Sequence, residues 1–310
     1  MKNSYKTLCV VNPASANGRT RRTWGTLERY LRQEGLEFEV LCTTQPKDAT
    51  YITQEALHKD YQRIVSVGGD GTLNEVVNGF FNGDGQKIKK DAFLSIIPMG
   101  TGGDFARMFT VSSKPDRVYE VMAQGEAKEI DIVRGTYTGW NGQKESRFYI
   151  NVADVGLGSE AVYHVNRNSK ILRGFLSFLI FGLYSVFTYK NKFLTIKVDD
   201  REAYAGRSSM VVVSNGCYFG GGMKIAPHAN LSDGLLDVVI VKDLSKMELL
   251  RNVPGIYSGQ HLNDPGIDFL QGRKIEIISE EDIFVELDGE SPGIGNLEFE
   301  IIPADMKLII

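Results

Sequence analysis

The stretch VGGDGTLNE (67–75) carries the clearest prediction about both the fold and the site. It joins a short apolar run, Arg63–Val67, to a segment, Leu73–Phe81, whose apolar residues recur at helical spacing. Its closely spaced glycines permit positive φ angles and let a ligand approach the backbone, and N–H donors at a helix start bind anions. Thr72 and Glu75 have the spacing of a capping box, which predicts where the helix begins. We therefore predict a strand, an anion-binding loop and a helix; the alternative is a tight turn without a ligand.

Two further loops repeat this pattern. PMGTGGDFAR (98–107) follows the predicted strand 92–97, with Thr101 placed to cap a helix and Asp104 in its first turn. NPASANG (12–18) follows the first predicted strand, 7–12. Loops that follow parallel strands lie at the carboxyl edge of the sheet, where ligands bind. We expect the three loops to converge on a polyphosphate.

Composition limits the class of protein. A chain of 310 residues, 42% of them hydrophobic, is long enough for roughly two domains with buried cores. A net charge of −4 argues against a broad nucleic-acid surface, and three scattered cysteines argue against a disulfide framework. Strands and helices alternate at first, whereas extended segments separated by turns dominate after about Ile130. We predict a reduced, cytoplasmic protein with an α/β domain followed by a sandwich of mostly antiparallel strands.

Other common sites do not fit. The chain has no GxxxxGK[ST] motif, and GLGSEA (156–161) is not followed by the acidic residue that a dinucleotide site needs about 20 positions later. The four histidines have no ligand-like spacing, so a zinc site is not expected. The basic run Arg19–Arg22 is interpreted as a solvated helix face, although one of its arginines could contact phosphate.

One segment, GFLSFLIFGLYSVFTY (174–189), is uncharged throughout. It is shorter than the about 20 apolar residues of a membrane-spanning helix. A buried helix and a helix that meets a lipid surface both fit it, and periodicity alone does not choose between them.

Taken together and in order, several stretches resemble the soluble bacterial diacylglycerol kinase-like lipid kinases, which are similar to sphingosine and ceramide kinases. They are NPASANG (12–18), VGGDGTLNEVVNG (67–79), PMGTGGDFAR (98–107), FYINVADVGLGSEAV (148–162), VVSNGCYFGGGMKIAPHANLSDGLLDVVIV (212–241), VELDGE (285–290) and IIPADMKLII (301–310). GGDGT alone also occurs in NAD kinases and phosphofructokinase-like enzymes, whereas the ordered set is specific.

This resemblance implies a domain organisation. An NAD-kinase-like α/β domain with a mostly parallel sheet would span 1–128 and regain 296–310, and a β-sandwich lipid-binding domain would span 129–295. ATP would lie in the cleft between them, and the apolar segment falls where relatives carry a hydrophobic helix by the lipid entrance. The protein would be cytoplasmic, peripheral to the membrane when acting on lipid, and without a nucleic-acid partner; a homodimer is left open.

The resemblance also implies site residues. Those expected to contact the nucleotide are Asn12, Pro13, Ala14, Ser15, Ala16, Thr43 (or Thr44), Gly68, Gly69, Asp70, Gly71, Thr72, Leu73, Asn74 and Thr101. Asp70 would lie near the phosphates and their Mg²⁺. A second, structural Mg²⁺ would be held by Asp233 with the carbonyls of Asn230 and Leu235. Glu290 matches the position of the proton acceptor, with Asp70 as the rival base.

The activity implied is transfer of the γ-phosphoryl group of ATP to a lipid hydroxyl, with diacylglycerol as the first choice and phosphatidate as its product. Two departures bear on it. Ala16 replaces a usual glycine, which is tolerable if the position does not need a positive φ. Gly103 replaces a usual asparagine and removes an amide near the phosphates. The alternatives are a kinase for a soluble acceptor and a catalytically weak regulatory protein that binds nucleotide and lipid.

Overall fold

The computed structural model describes residues 5–109, 111–168 and 175–310, with side chains 165–168 and 175–181 left out of that description. Contacts divide the chain into two compact units. The first contains the chain up to Ile130 together with Ala304–Ile310, and the second is Asp131–Pro303.

The first unit alternates strands and helices. Its elements are β1 (Thr7–Val11), α1 (Ser15–Gln33), β2 (Glu39–Cys42), α2 (Asp48–His58), β3 (Arg63–Gly68), α3 (Asp70–Asn78), β4 (Phe93–Pro98), α4 (Asp104–Arg107) and α5 (Pro115–Gln124). The sequence pattern predicts a helix over 48–58, which are the observed bounds of α2, and β3 extends one residue beyond its predicted end at Val67. β2 begins three residues later than the predicted strand 36–42.

The sheet of the first unit places the three loops side by side. β3 pairs in parallel with β1 on one side and with β4 on the other, and β1 pairs in parallel with β2. All residues of β3 are buried, as expected for a parallel strand covered on both faces. The loops after β1, β3 and β4 therefore leave adjacent strands at one edge of the sheet.

The predicted capping box at Thr72 and Glu75 is wrong. α3 begins at Asp70, with Gly69 as an extended N-cap and no side-chain cap bond. The Thr72 hydroxyl instead accepts a bond of 3.0 Å from the Asn12 side-chain amide. The Glu75 carboxylate accepts the backbone N–H groups of Lys47 and Ala49, at 2.9 and 3.2 Å, at the start of α2. Both side chains form hydrogen bonds to neighbouring elements, because three glycines already form the turn before α3.

The second unit is built mainly of strands. After β5 (Ala127–Gly139), which begins in the first unit, come β6 (Lys144–Tyr149), β7 (Val152–Gly156), α6 (Leu157–Asn168), α7 (Phe175–Thr188), β8 (Lys192–Val198), β9 (Arg201–Ser214), β10 (Tyr218–Phe219), β11 (Met223–Lys224), β12 (Leu236–Lys242), α8 (Lys246–Ser258), a 3₁₀ helix (Gln260–Asn263), β13 (Ile267–Gly272), β14 (Lys274–Ile278), β15 (Phe284–Leu287) and β16 (Glu290–Ile309). The last residues of β16 belong to the first unit, where they pair in parallel with β4.

Strand β7 organises the part of the second unit that matters for the site. It pairs antiparallel with β9 on one side and with β15 on the other. Ala153 and Val155 of β7 join one hydrophobic core, whereas Val152 joins another. Since side chains alternate between the faces of a strand, Asp154 lies on the same face as Val152.

The apolar segment forms α7 in part. Gly174 and the side chains of residues 175–181 lie outside the described residues. For that part of the segment, the buried helix and the helix that meets a lipid surface both stay predictions. At the C-terminal end of α7, Ser185 is buried, whereas Leu183 and Phe187 are exposed. Among the helices that the structure describes, none is long and apolar enough to cross a membrane.

Candidate active site

The loop after β1 is tied to the glycine-rich loop after β3 through Asn12. Its side-chain amide donates to the Thr72 hydroxyl at 3.0 Å, and its backbone N–H donates to the Val67 carbonyl at 2.9 Å. Its side-chain oxygen accepts the Ala14 N–H at 3.0 Å, which forms a tight local turn. Asn12 therefore fixes the first loop against the second.

The loops after β3 and β4 are in backbone contact. The carbonyl of Gly68 accepts the N–H groups of Met99 and Gly100 at 2.7 and 3.0 Å. A Cβ atom placed on Gly100 would lie 2.4 Å from the Cα of Gly69, so a side chain at position 100 would force the loops apart. From the sequence, we expect these glycines to let a ligand approach the backbone. In the structure, they permit two main chains to approach each other closely.

Asp70 joins these two loops through its carboxylate. Its Oδ2 accepts the backbone N–H groups of Gly103 and Asp104, at 2.9 and 3.3 Å. The acid at the centre of GGDGT is thus an acceptor for the amides at the start of α4. This bond gives Asp70 a structural role beside any role toward phosphate or metal.

The start of α4 differs from the prediction. Its N-cap is Gly103, at a left-handed φ of 64°, with no side-chain cap bond, while Thr101 is exposed. The predicted cap at Thr101 is therefore wrong, because the carboxylate of Asp70 takes the amides that it would have capped. Asp104 does occupy the first turn, as predicted. Asparagine and glycine are the residues that best tolerate the left-handed region, so Gly103 preserves the backbone of the position.

The backbone angle of Ala16 decides whether alanine is tolerated there without strain. It adopts φ 49° and ψ 44°, and Asn17 and Gly18 after it are also left-handed. The position does need a positive φ, so alanine there is strained where glycine would not be. The hydroxyl groups of Ser15 and Thr20, which flank this turn, are 2.5 Å apart.

The two threonines after β2 have different surroundings. The Thr44 hydroxyl donates to Asp48 at 2.7 Å, and this bond with the neighbouring amides lowers the pKa of Asp48 to about 2. Thr43 is held by its backbone N–H, which donates to the Val11 carbonyl at 2.8 Å. Because the hydroxyl of Thr44 is engaged, Thr43 is the better candidate for a nucleotide contact.

In the second unit, the loop before β12 holds the predicted metal residues. Asp233 Oδ1 accepts the Leu235 N–H at 3.0 Å, and the Asn230 side chain accepts the Ser232 N–H at 3.3 Å. Asp131, which sequence reasoning missed, is buried, and its Oδ2 accepts the Gly234 N–H at 2.7 Å. A single acid inside the apolar stretch Ile130–Val133 was the signal that could have identified it.

The donor set of this loop is compatible with Mg²⁺. Carboxylate and carbonyl oxygens are the ligands that Mg²⁺ uses, usually with several waters retained. Asp233 keeps one carboxylate oxygen outside its turn bond, and the carbonyls of Asn230 and Leu235 would complete the protein's share. The described part of the chain has no group of three His, Cys, Asp or Glu side chains placed to hold a metal, so an ion here would depend on carbonyls and water.

The candidate base Glu290 is the first residue of β16 and is exposed. It follows a tight turn in which Asp288 and Gly289 are both left-handed, with φ 47° and 88°. The carboxylate of Asp288 accepts three consecutive backbone N–H groups, those of Ile150, Asn151 and Val152, at 3.0–3.1 Å. The turn that carries Glu290 is therefore anchored to the segment between β6 and β7.

Comparison with known proteins places these loops in a family. Residues 6–134 match the diacylglycerol kinase catalytic domain, and residues 151–310 match the YegS C-terminal NAD kinase beta sandwich-like domain. The chain is 28% identical over 291 residues to a protein named diacylglycerol kinase from Bacillus subtilis (strain 168), a match that covers 94% of this chain and 91% of the relative.

Solved structures agree at the level of the fold. A candidate diacylglycerol kinase from Bacillus anthracis str. Sterne superposes with a TM-score of 0.77 and 25% identity, covering 99% of this chain and 98% of the other. An NAD kinase from Archaeoglobus fulgidus, solved in complex with ATP, has a TM-score of 0.55 and 16% identity over 98% and 93% of the two chains.

These matches define an ATP-dependent kinase with a C-terminal β-sandwich-like domain. The chain belongs to the bacterial family of diacylglycerol kinase-like lipid kinases, as its motifs predicted.

Proposed function

We propose that this enzyme transfers the γ-phosphoryl group of ATP to a lipid hydroxyl, with diacylglycerol as acceptor and phosphatidate as product. The observation that carries the proposal is the convergence of the loops after β1, β3 and β4, built around Asn12, Gly69 and Asp70. The lipid half of the proposal is supported by relatives named diacylglycerol kinase that match most of the chain.

The three loops would hold the triphosphate. Phosphoryl transfer depends mainly on positioning and on neutralising charge, which backbone amides and Mg²⁺ supply. The proposed nucleotide contacts are residues 12–16, Thr43, residues 68–74 and Thr101. Asp70 would orient the phosphates or their Mg²⁺ with the oxygen that does not cap α4. The proposed second Mg²⁺, at Asp233, would stabilise its loop.

Glu290 is the proposed proton acceptor. A lipid hydroxyl must lose its proton as it attacks phosphorus, and a carboxylate within hydrogen-bond reach accelerates that step by about 10²–10⁴-fold. Glu290 is exposed at the end of an anchored turn, whereas the carboxylate of Asp70 already accepts two backbone amides. The accessible acid is therefore the better base.

An exposed apolar patch on the second unit supports a membrane-embedded substrate. We define the apolar patch as Leu183, Phe187 and Met247; Phe187 is 52% exposed and Met247 is 74% exposed. The end of α7 and the start of α8 lie together, because Lys246 Nζ donates to the Phe187 carbonyl. Side chains of this kind insert at the boundary between headgroups and acyl chains. The enzyme would thus act as a peripheral protein at the bilayer surface.

The test of the chemistry is Glu290→Gln. We expect turnover of ATP with diacylglycerol in mixed micelles to fall by about 10²-fold or more, with ATP binding nearly unchanged. The matched control is Glu298→Gln, the same substitution on the same strand. Glu298 lies opposite Glu276 of β14 in the register of the two strands. Turnover near the wild-type value in Glu290→Gln would remove the assignment of the base.

The same assay separates the alternatives. Labelled phosphatidate supports the proposal, and a labelled product formed without lipid would indicate a soluble acceptor. Tight ATP binding without any product would indicate the regulatory protein, which Gly103 favours because glycine supplies no side-chain amide to the phosphates.

A further inference from the structure

Two acidic side chains are paired inside the second unit. Asp154 of β7 and Glu286 of β15 lie directly opposite each other in the antiparallel pairing of these strands. They are 1% and 5% exposed. A Cβ atom placed on Gly158, at the start of α6, would lie 1.8 Å from Asp154 Oδ2, so the carboxyl group fills the space that this glycine leaves. The pair is enclosed between the sheet and α6.

The surroundings of the pair oppose its ionisation. Burial raises the pKa of Asp154 to about 8. Burial, followed by the negative charge of Asp154, holds the pKa of Glu286 well above its ordinary value. When two carboxyl groups interact this closely, the protons belong to the pair, and the pair keeps at least one at neutral pH.

Titratable groups of neighbouring elements lie around the pair: Asp288 of the turn, Glu290 of β16, Tyr149 of β6 and Tyr189 after α7, with Glu160 of α6 beside Tyr189. The Gly289 N–H lowers the pKa of Glu286, but less than burial and the charge of Asp154 raise it. Asp288 and Glu290 both raise the pKa of Glu286 further. A second negative charge on the pair would therefore have no compensating cation among these groups.

Glu286 also contacts the turn that carries the proposed base. Its Oε1 accepts the backbone N–H of Gly289, the residue immediately before Glu290. Asp288, on the other side of that amide, is fixed by the backbone N–H groups of residues 150–152. Glu286 thus completes the anchoring of the turn from inside the sheet.

We propose that Glu286 is a positioning residue for Glu290: with a proton shared between Glu286 and Asp154, it holds the Gly289 amide and so fixes the orientation of the base. The proposal rests on the proposed function. When the pair loses its last proton, two buried carboxylates face each other, Glu286 is driven toward solvent, and the bond to Gly289 breaks. The base is then free to leave its productive orientation.

The test compares the pH dependence of kcat in four proteins. In the wild type, kcat falls at alkaline pH as Glu286 loses the last proton of the pair, which happens above the pKa of about 8 of Asp154, and KM for ATP is unchanged. Asp154→Asn and Glu286→Gln lose this alkaline fall, because neither can form the doubly charged pair. Glu286→Gln also keeps most of the wild-type kcat at pH 7, since its amide oxygen can accept the Gly289 N–H. Glu286→Leu loses about 10–100-fold in kcat at all pH values, as expected for a displaced catalytic group.

Two results would overturn the proposal. One is an alkaline fall in Asp154→Asn and Glu286→Gln equal to that of the wild type. The other is a Glu286→Leu protein that folds and retains wild-type kcat. If Glu286→Leu does not fold, the two amide variants still decide the question.

A measurement independent of catalysis separates this proposal from the proposed function. Hydrogen exchange at the Gly289 amide, followed by NMR, should show protection that falls by about fivefold in the wild type as the pair loses its last proton and stays constant in Glu286→Gln, since one hydrogen bond contributes roughly 1 kcal/mol. Absence of lipid kinase activity in the wild type would contradict the proposed function. Equal protection of the Gly289 amide in the wild type and in the Glu286 variants at every pH would contradict the role of Glu286.

Discussion

Ala16 shows how one backbone angle depends on the fold around it. The loop after β1 turns through three consecutive left-handed residues before α1 continues. A non-glycine residue in this region costs about 1–2 kcal/mol, because its Cβ approaches the following carbonyl oxygen. The loop accepts this strain while Asn12 holds its other end against Thr72.

Ala16→Gly should therefore stabilise the protein. Relief of the strain exceeds the about 0.4–1 kcal/mol that glycine adds to the entropy of the unfolded chain, so we expect a gain of up to about 1 kcal/mol in the free energy of unfolding. The control is Ala14→Gly, where φ is −81° and the same substitution should destabilise. Denaturant unfolding measures both, and equal losses in the two variants would contradict the interpretation.

The contact between α2 and α3 shows how one helix is capped by another. The Glu75 side chain of α3 accepts two N–H groups from the first turn of α2, and the Glu75 carbonyl accepts the Thr50 hydroxyl at 2.8 Å. The N-cap of α2 is Lys47, which is left-handed and makes no side-chain cap bond. Glu75 supplies the acceptor that the local sequence lacks.

Glu75→Ala should lower the free energy of unfolding by about 1–2 kcal/mol, the cost of losing a helix cap. The control is Glu55→Ala on α2, whose side chain is 69% exposed and forms only a surface ion pair with Lys59. That variant should change stability by less than about 0.5 kcal/mol. Thermal unfolding of both proteins is the measurement, and similar shifts would show that Glu75 is not a cap.

The exposed apolar side chains of the second unit bear on how the whole protein meets its substrate. Replacing Phe187 and Met247 together by serine should reduce binding to phosphatidylcholine–phosphatidylglycerol vesicles by about tenfold or more, because each buried apolar side chain contributes about 1.5–3 kcal/mol. Turnover of a short-chain, water-soluble diacylglycerol should change little.

Tyr51→Ser is the matched control for the apolar patch. Tyr51 is 63% exposed but lies on α2 of the first unit. Vesicle co-sedimentation measures binding, and equal retention of the double variant and the wild type would exclude this face as the membrane contact.

The buried acid pair makes the stability of the protein depend on pH. The pKa of Asp154 is raised by burial to about 8 in the folded state, whereas an unfolded aspartate titrates near ~3.9. The folded state therefore binds more protons between these values, and the free energy of unfolding falls as the pH rises from about 4 to 8. Asp154→Asn should be markedly more stable than the wild type at pH 8.5 and only slightly so at pH 5. Urea unfolding at the two pH values checks this, with Glu298→Gln as the control that should show no such difference.

Much of the architecture can be predicted from short stretches of the sequence. The glycine loops, the alternation of strands and helices, and the bounds of α2 follow from periodicity and turn residues within short windows. The same holds for β14, where the sequence predicts a strand over 274–278 and the structure has one with those bounds. Hydrophobic periodicity acts between near neighbours, so a single sequence is enough to reveal it. The ordered motifs were equally visible, and they led to the family.

The remaining features depend on which segments meet in space. Glu75 caps a helix earlier in the chain, and Asp154 faces Glu286 because β7 pairs with β15 in one particular register. The positive φ of Ala16 likewise depends on the loop that Asn12 anchors. Burial, hydrogen-bond partners and the resulting pKa shifts arise from such distant pairings, which local residue patterns do not encode.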